Sequence, residues 1–235
     1  MKGKAVIAFD IRFQFRHGFY YAYLFVSAVY ILFLWFIPPE LKQPVAVIMV
    51  FSDPGVMGFF FVGGILLLER GQGVLDNLFI TPLEPWEFIF SKCISLAFLA
   101  LSTSLAILLF TFGFAFNPLP LALGVVLTSF ISTLAGLALA AKASSLNGYL
   151  ISSPLFQVPF TLPLIDYVGL LPSSLFYLLP GKASLVLIDA SFGGRSGGEL
   201  ALAVLSLAAW TGATYFWARR IFYRHLILKS GGAVK

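Results

Sequence analysis

The sequence predicts an all-α membrane protein with six transmembrane helices, and three observations carry that prediction. Hydrophobic residues fill 60% of the 235 positions, charged residues only 11%, and phenylalanine alone occurs 26 times. A soluble domain is about half apolar and about a quarter charged, so this composition belongs in lipid. The apolar residues gather in six runs, at residues 19–37, 45–68, 93–114, 121–141, 149–165 and 200–218. Most approach the ~20 residues that a helix needs to cross the hydrocarbon core. When the runs are threaded in alternation, all of the 15 lysines and arginines except Lys42, Lys182 and Arg195 fall on one side. The basic side of a membrane protein faces the cytoplasm. Both termini are therefore expected there, in a multi-pass protein of the plasma or inner membrane. This asymmetry also accounts for the formal charge of +5, without nucleic acid as a partner.

Residues 1–18 form the first segment. Phe9, Ile11, Phe13 and Phe15 alternate with Asp10, Arg12, Gln14 and Arg16, which is a strand period. A lone strand at a membrane surface leaves its backbone unpaired, so an interfacial helix is expected, with aromatics in the headgroups and arginines outward. The first apolar run is long enough to remain as an anchor rather than be cleaved. Residues 19–218 form the transmembrane domain and 219–235 a basic cytoplasmic tail.

The second run contains Asp53-Pro54-Gly55. Two readings fit it: a turn near the outer surface, because these residue types favour turns, or an acidic group at membrane depth with a role in transport or gating. The fourth run carries Thr128, Ser132, Gly136 and Ala140 at four-residue spacing. Such a small-residue stripe admits a close neighbouring helix, and packing within one subunit is favoured over a dimer seam. The fifth run is short and broken by Pro154, Pro159 and Pro163. Broken helices are tolerated where they line a cavity or pack on protein, and they mark transport pathways in many carriers. Asp53, Gln157 and Asp166 are thus the candidate pathway residues. Residues 166–199 hold two apolar stretches, 170–179 and 183–188, too short to span and expected as outer re-entrant pieces.

The longest patterned polar interruption is residues 69–92. Val74, Leu75, Leu78 and Phe79 share one helical face, with Gln72, Asp76 and Asn77 opposite. Thr81-Pro82-Leu83-Glu84 has the residues of a helix start, while Pro85 points to a start further on. This much local encoding in a loop suggests a docking surface.

No catalytic or metal-binding constellation emerges. Cys93 is the single cysteine and reads as a packing residue. His17 and His225 lie outside the runs in basic surroundings, and no serine has a histidine partner at membrane depth. A phosphate loop is missing: Gly181-Lys182 has Phe176 where the upstream glycine belongs. Ser196-Gly197-Gly198-Glu199 reads as a flexible turn. The chain is therefore expected to be no enzyme and to need an outside source of energy.

Glu69-Arg70, Gly73, Leu78, Thr81-Pro82-Leu83, Glu87 and Lys92 resemble the E-R-x-x-G…L-x-x-T-P-L…E…K pattern of type-2 ABC exporter permeases. The segment from Gly58 to Gly71, the run Phe176-Tyr177-Leu178-Leu179-Pro180 and Trp217-Ala218-Arg219-Arg220 look like permeases described as fluoroquinolone exporters. The resemblance covers the whole chain. It implies a coupling helix at residues 71–80, seated in a groove of a separate ABC ATPase present in two copies. Glu69, Arg70, Gly73, Val74, Leu75, Leu78, Phe79, Thr81 and Pro82 would serve that contact, with Glu69 and Arg70 pairing with the ATPase or with each other. It implies ATP and magnesium on the ATPase and no cofactor on this chain. A second copy or a sister permease would complete the pathway for a hydrophobic or amphipathic cargo, with Lys182, Asp189 and Arg195 near its exit. The alternative is a non-transporting membrane scaffold that recruits a cytoplasmic partner through residues 69–92.

Overall fold

The computed structural model describes residues 2–74 and 84–227. Helices dominate, and each starts where the chain supplies a reason. Helix α1 (Lys2–Arg16) ends before Gly18, whose φ of 83° starts α2 (Phe19–Phe36) in a new direction. Helix α3 (Pro39–Ser52) begins with proline at its first turn, where the missing N–H costs nothing. It continues through a π-helical turn, Asp53–Met57, into α4 (Gly58–Gly71). Gly73, with φ of 66°, then closes α4 by donating to the Arg70 carbonyl at 3.1 Å.

Helix α5 (Pro85–Phe112) opens on a capping box between Glu84 and Glu87, with Pro85 in the first turn. The start expected at Thr81 therefore gives way to the later one, and residues 81–83 lie outside those described. Asn117 caps α6 (Pro118–Lys142), Ser145 caps α7 (Leu146–Thr161), and Ser196 caps α10 (Gly197–Phe222). Between α7 and α10 come α8 (Pro163–Tyr167), a 3-10 turn (Ser174–Leu178) and the ten-residue α9 (Pro180–Asp189).

Among the described residues, five helices are long and apolar enough to cross a membrane: Phe19–Phe36, Pro39–Gly71, Pro85–Phe112, Pro118–Lys142 and Gly197–His225. The broken run expected as the fifth span is instead the 16-residue α7 followed by the five-residue α8. Of the two readings of Asp53-Pro54-Gly55, the turn gives way, because the chain does not reverse there. Proline removes one backbone donor, and the helix absorbs the defect as a π turn without stopping.

Two buried clusters mark the two ends of the bundle. One joins Phe13, Leu66, Phe88, Ile89, Leu139 and Phe222; the other joins Leu34, Phe51, Leu108, Leu121, Ile188 and Leu207. Successive long helices thus run antiparallel, and residues 69–92 leave from the same end as α1. Helix α6 is the hub, with 67% of its apolar window buried against 17% for α2 and 11% for α10. Its small-residue stripe works inside the subunit. A Cβ on Gly136 would lie 2.4 Å from Val62 and 2.8 Å from the Phe59 carbonyl, so only glycine lets α4 approach this closely. On the same stripe, Thr128 and Ser184 of α9 share a hydrogen bond of 2.5 Å. Helix α9 is buried from Ala183 to Ile188, which seats this short apolar stretch inside the bundle.

Candidate functional site at the base of residues 69–92

The amino-terminal segment is helical, against its alternating period. On a helix Asp10, Phe13 and Gln14 share one face, and all three are buried. Arg12, Phe15 and Arg16 remain exposed. The buried face lies on the start of α5, where Lys92 sits at 0% exposure. Its ammonium reaches Asp10 Oδ1 at 2.5 Å and also Glu69 Oε1. Ser91 donates to Asp10 Oδ2 at 2.5 Å, and Gln14 Nε2 donates to Ser95 Oγ at 2.8 Å. The Phe88 ring adds a cation–π face, its centroid 4.9 Å from Lys92 Nζ. One lysine thus holds two carboxylates from two other helices in a site closed to solvent. A charge in such a place persists only when it is paired.

Arg70 is committed as well. Its Nη1 and Nη2 donate to the carbonyls of Ala143 (2.9 Å) and Ala141 (3.3 Å), at the carboxyl end of α6. That end leaves its last carbonyls unpaired and carries partial negative charge, so a guanidinium fits there. Gln72 approaches His17 Nε2 at 3.3 Å. Of the two expectations for Glu69 and Arg70, pairing with the ATPase or with each other, the second gives way to two separate anchors, one to Lys92 and one to α6. Gly71 belongs to α4, so the segment expected from 71 starts no earlier than Val74, which is helical and partly buried. Leu75, Leu78, Phe79, Thr81 and Pro82 lie outside the described residues.

The three pathway candidates do not converge. Asp53 is 1% exposed and accepts a hydrogen bond from Thr103 Oγ1 at 2.5 Å. Gln157 Nε2 donates to the Gly55 carbonyl at 2.8 Å, satisfying an acceptor in the π turn. Its side chain also lines a cleft of about 140 Å³ with Phe59, Phe156, Phe160 and Trp210. Asp166 lies at the far end, bound to Lys182. Nearby, Arg195 donates twice to Asp189 Oδ2, through Nε at 3.2 Å and Nη2 at 2.9 Å. That carboxylate raises the guanidinium's proton affinity above its ordinary value. Tyr167 donates to the other oxygen of Asp189 at 3.2 Å.

Sequence reasoning missed Asp10 and Gln14 as site residues, and it quoted Lys92 in the family pattern without a role in the site. The signal was present in the four-residue spacing of Asp10 and Gln14 around Phe13, which on a helix makes one polar-aromatic stripe. Counting Lys92 among the surface charges hid its role, since two carboxylates surround it.

Among the described residues, a bundle of membrane-length helices with charges paired inside it defines an integral membrane protein. The chain belongs to the fluoroquinolones export permease protein family, which it matches over residues 2–230. Two relatives from two strains of Mycobacterium tuberculosis, each named fluoroquinolones export permease protein, are 24% identical over 225 residues, covering 94% of this chain and 95% of theirs. Such membership places the chain among transport subunits rather than enzymes.

Proposed function

We propose that this chain is the membrane subunit of an ATP-driven exporter. It moves a hydrophobic or amphipathic compound, such as a fluoroquinolone, out of the cell, and it spans the membrane six times with α7 and α8 as the short fifth passage. Both termini and residues 69–92 face the cytoplasm. A separate ABC ATPase, in two copies with ATP and magnesium, docks on the apolar positions Val74, Leu75, Leu78 and Phe79, supported by Gly73, Thr81 and Pro82. A second permease completes the pathway, and access alternates by rigid movement of helices.

The observation that carries this reading is the buried bridge from Lys92 to Glu69 and Asp10. A push on residues 70–91 is transmitted only if both ends of that segment are fixed to the spans. Glu69 and Lys92 fix both ends to each other, Asp10 adds α1, and Arg70 adds α6. In this role Glu69 and Arg70 act from inside the permease, as the rigid footing of the docking segment. Gln157, bonded from α7 to the π turn and lining a cleft, would take part in the pathway, and Asp53, buried within that turn, would take part in how the spans reshape.

The test is reconstitution of the permease with its ATPase in lipid vesicles. Cargo is expected to stimulate ATP hydrolysis and to accumulate on the opposite side. A complex whose hydrolysis is indifferent to every amphipathic compound offered would turn the reading toward a scaffold.

A further inference from the structure

Between α9 and the outer half of α10 lies a cleft of about 300 Å³, floored by Ala183, Val186, Leu202 and Ala203 and rimmed by Tyr177, Arg195 and Glu199. Its size and its apolar floor with a few polar groups are those of a small-molecule site. The rim carries one charge of each sign. Arg195 spends Nε and Nη2 on Asp189, which fixes the guanidinium plane and leaves Nη1 uncommitted among the described residues. The Glu199 carboxylate makes no ion pair or hydrogen bond among those residues, although it is close enough to Arg195 to raise its proton affinity. Tyr177 supplies a ring, itself 5.2 Å from Lys182 Nζ.

We propose that this cleft is a cargo subsite for a zwitterionic aromatic amphipath, with Arg195 taking its carboxylate, Glu199 its ammonium and Tyr177 its ring system. A guanidinium held in place by the Asp189 carboxylate is a pre-oriented donor to an anion. The free carboxylate answers a cation on the same molecule, and the alanine and valine floor takes its apolar body. The subsite deepens the exporter reading and rests on it for the class of cargo.

The experiment uses the full chain in nanodiscs with three probes: a fluoroquinolone with free acid and free amine, its methyl ester, and its N-acetyl derivative. Wild type is expected to bind the parent about tenfold more tightly than either blocked form, the scale of one well-placed charged contact. Arg195→Gln should bind acid and ester alike while still preferring the free amine. Glu199→Gln should do the reverse. Ser206→Phe, which fills the cleft, should weaken all three probes together. If wild type discriminates and both charge variants still do, cargo binds elsewhere and the subsite is wrong while the exporter reading stands. If wild type binds and transports none of the probes, the cargo reading falls and takes the subsite with it. If phospholipid displaces every probe equally, the cleft is a lipid crevice and the proposal fails.

Discussion

Glu69 and Lys92 stand 23 residues apart in the chain and meet in an ion pair that excludes solvent from both side chains. The pair closes the base of the segment between them. Lys92 bonds Asp10 from the same ammonium, so three helices share one positive charge.

Removing that charge should therefore cost more than removing either partner. Lys92→Met leaves two buried carboxylates without a cation, and breaking a buried pair costs about 3–5 kcal/mol. Glu69→Gln leaves Lys92 with Asp10 and should cost less. Thermal unfolding of both variants in one detergent tests the order. A Glu69→Gln protein less stable than Lys92→Met would contradict it.

Close helix approaches make a second prediction. A Cβ on Gly181 would sit 1.9 Å from the Phe160 carbonyl, which is backbone and cannot swing aside, whereas nothing lies within 4 Å of one on Gly212. Gly181→Ala should lower the unfolding temperature and Gly212→Ala leave it unchanged or slightly raised, since alanine suits helix interiors better by about 1 kcal/mol. Equal behaviour of the two would mean that α9 does not seat against α7 as described.

The π turn makes a third. Gln157→Leu removes the donor to the Gly55 carbonyl and leaves that acceptor buried, at a cost of about 1–3 kcal/mol. Gln157→Glu keeps the length and loses the donor when ionised, so it should be at least as harmful. Hydrogen exchange around residues 53–57 should quicken in both variants, and unchanged protection there would place the support of the turn elsewhere.

Five of the six expected spans were legible because burial in lipid needs long apolar runs, whereas the proline-broken fifth run folds as the shorter α7 and α8. The π turn was not, because Asp53-Pro54-Gly55 is equally good turn chemistry, and only α7, bringing Gln157 to the Gly55 carbonyl, decides for a continuous helix. The packing role of Gly136 was readable from its spacing. The footing of the docking segment was not, because Asp10, Glu69 and Lys92 lie far apart in sequence, and nothing in the pattern that holds Glu69 and Lys92 says that they meet each other and Asp10. Helix α1 shows the conflict most clearly. Its alternation suggests a strand, yet Asp10 and Gln14 find partners on α5 only if the segment is helical.

Docking of an ATPase on residues 74–79 is the central claim, and one measurement reaches it directly. The tagged permease is purified with the ABC ATPase co-expressed, and wild type is compared with Leu78→Asp at matched membrane expression. Wild type should hold stoichiometric ATPase and Leu78→Asp at least about tenfold less, the effect of burying an unpaired charge in an apolar contact. Undiminished capture by Leu78→Asp, or no ATPase held by wild type, would contradict it.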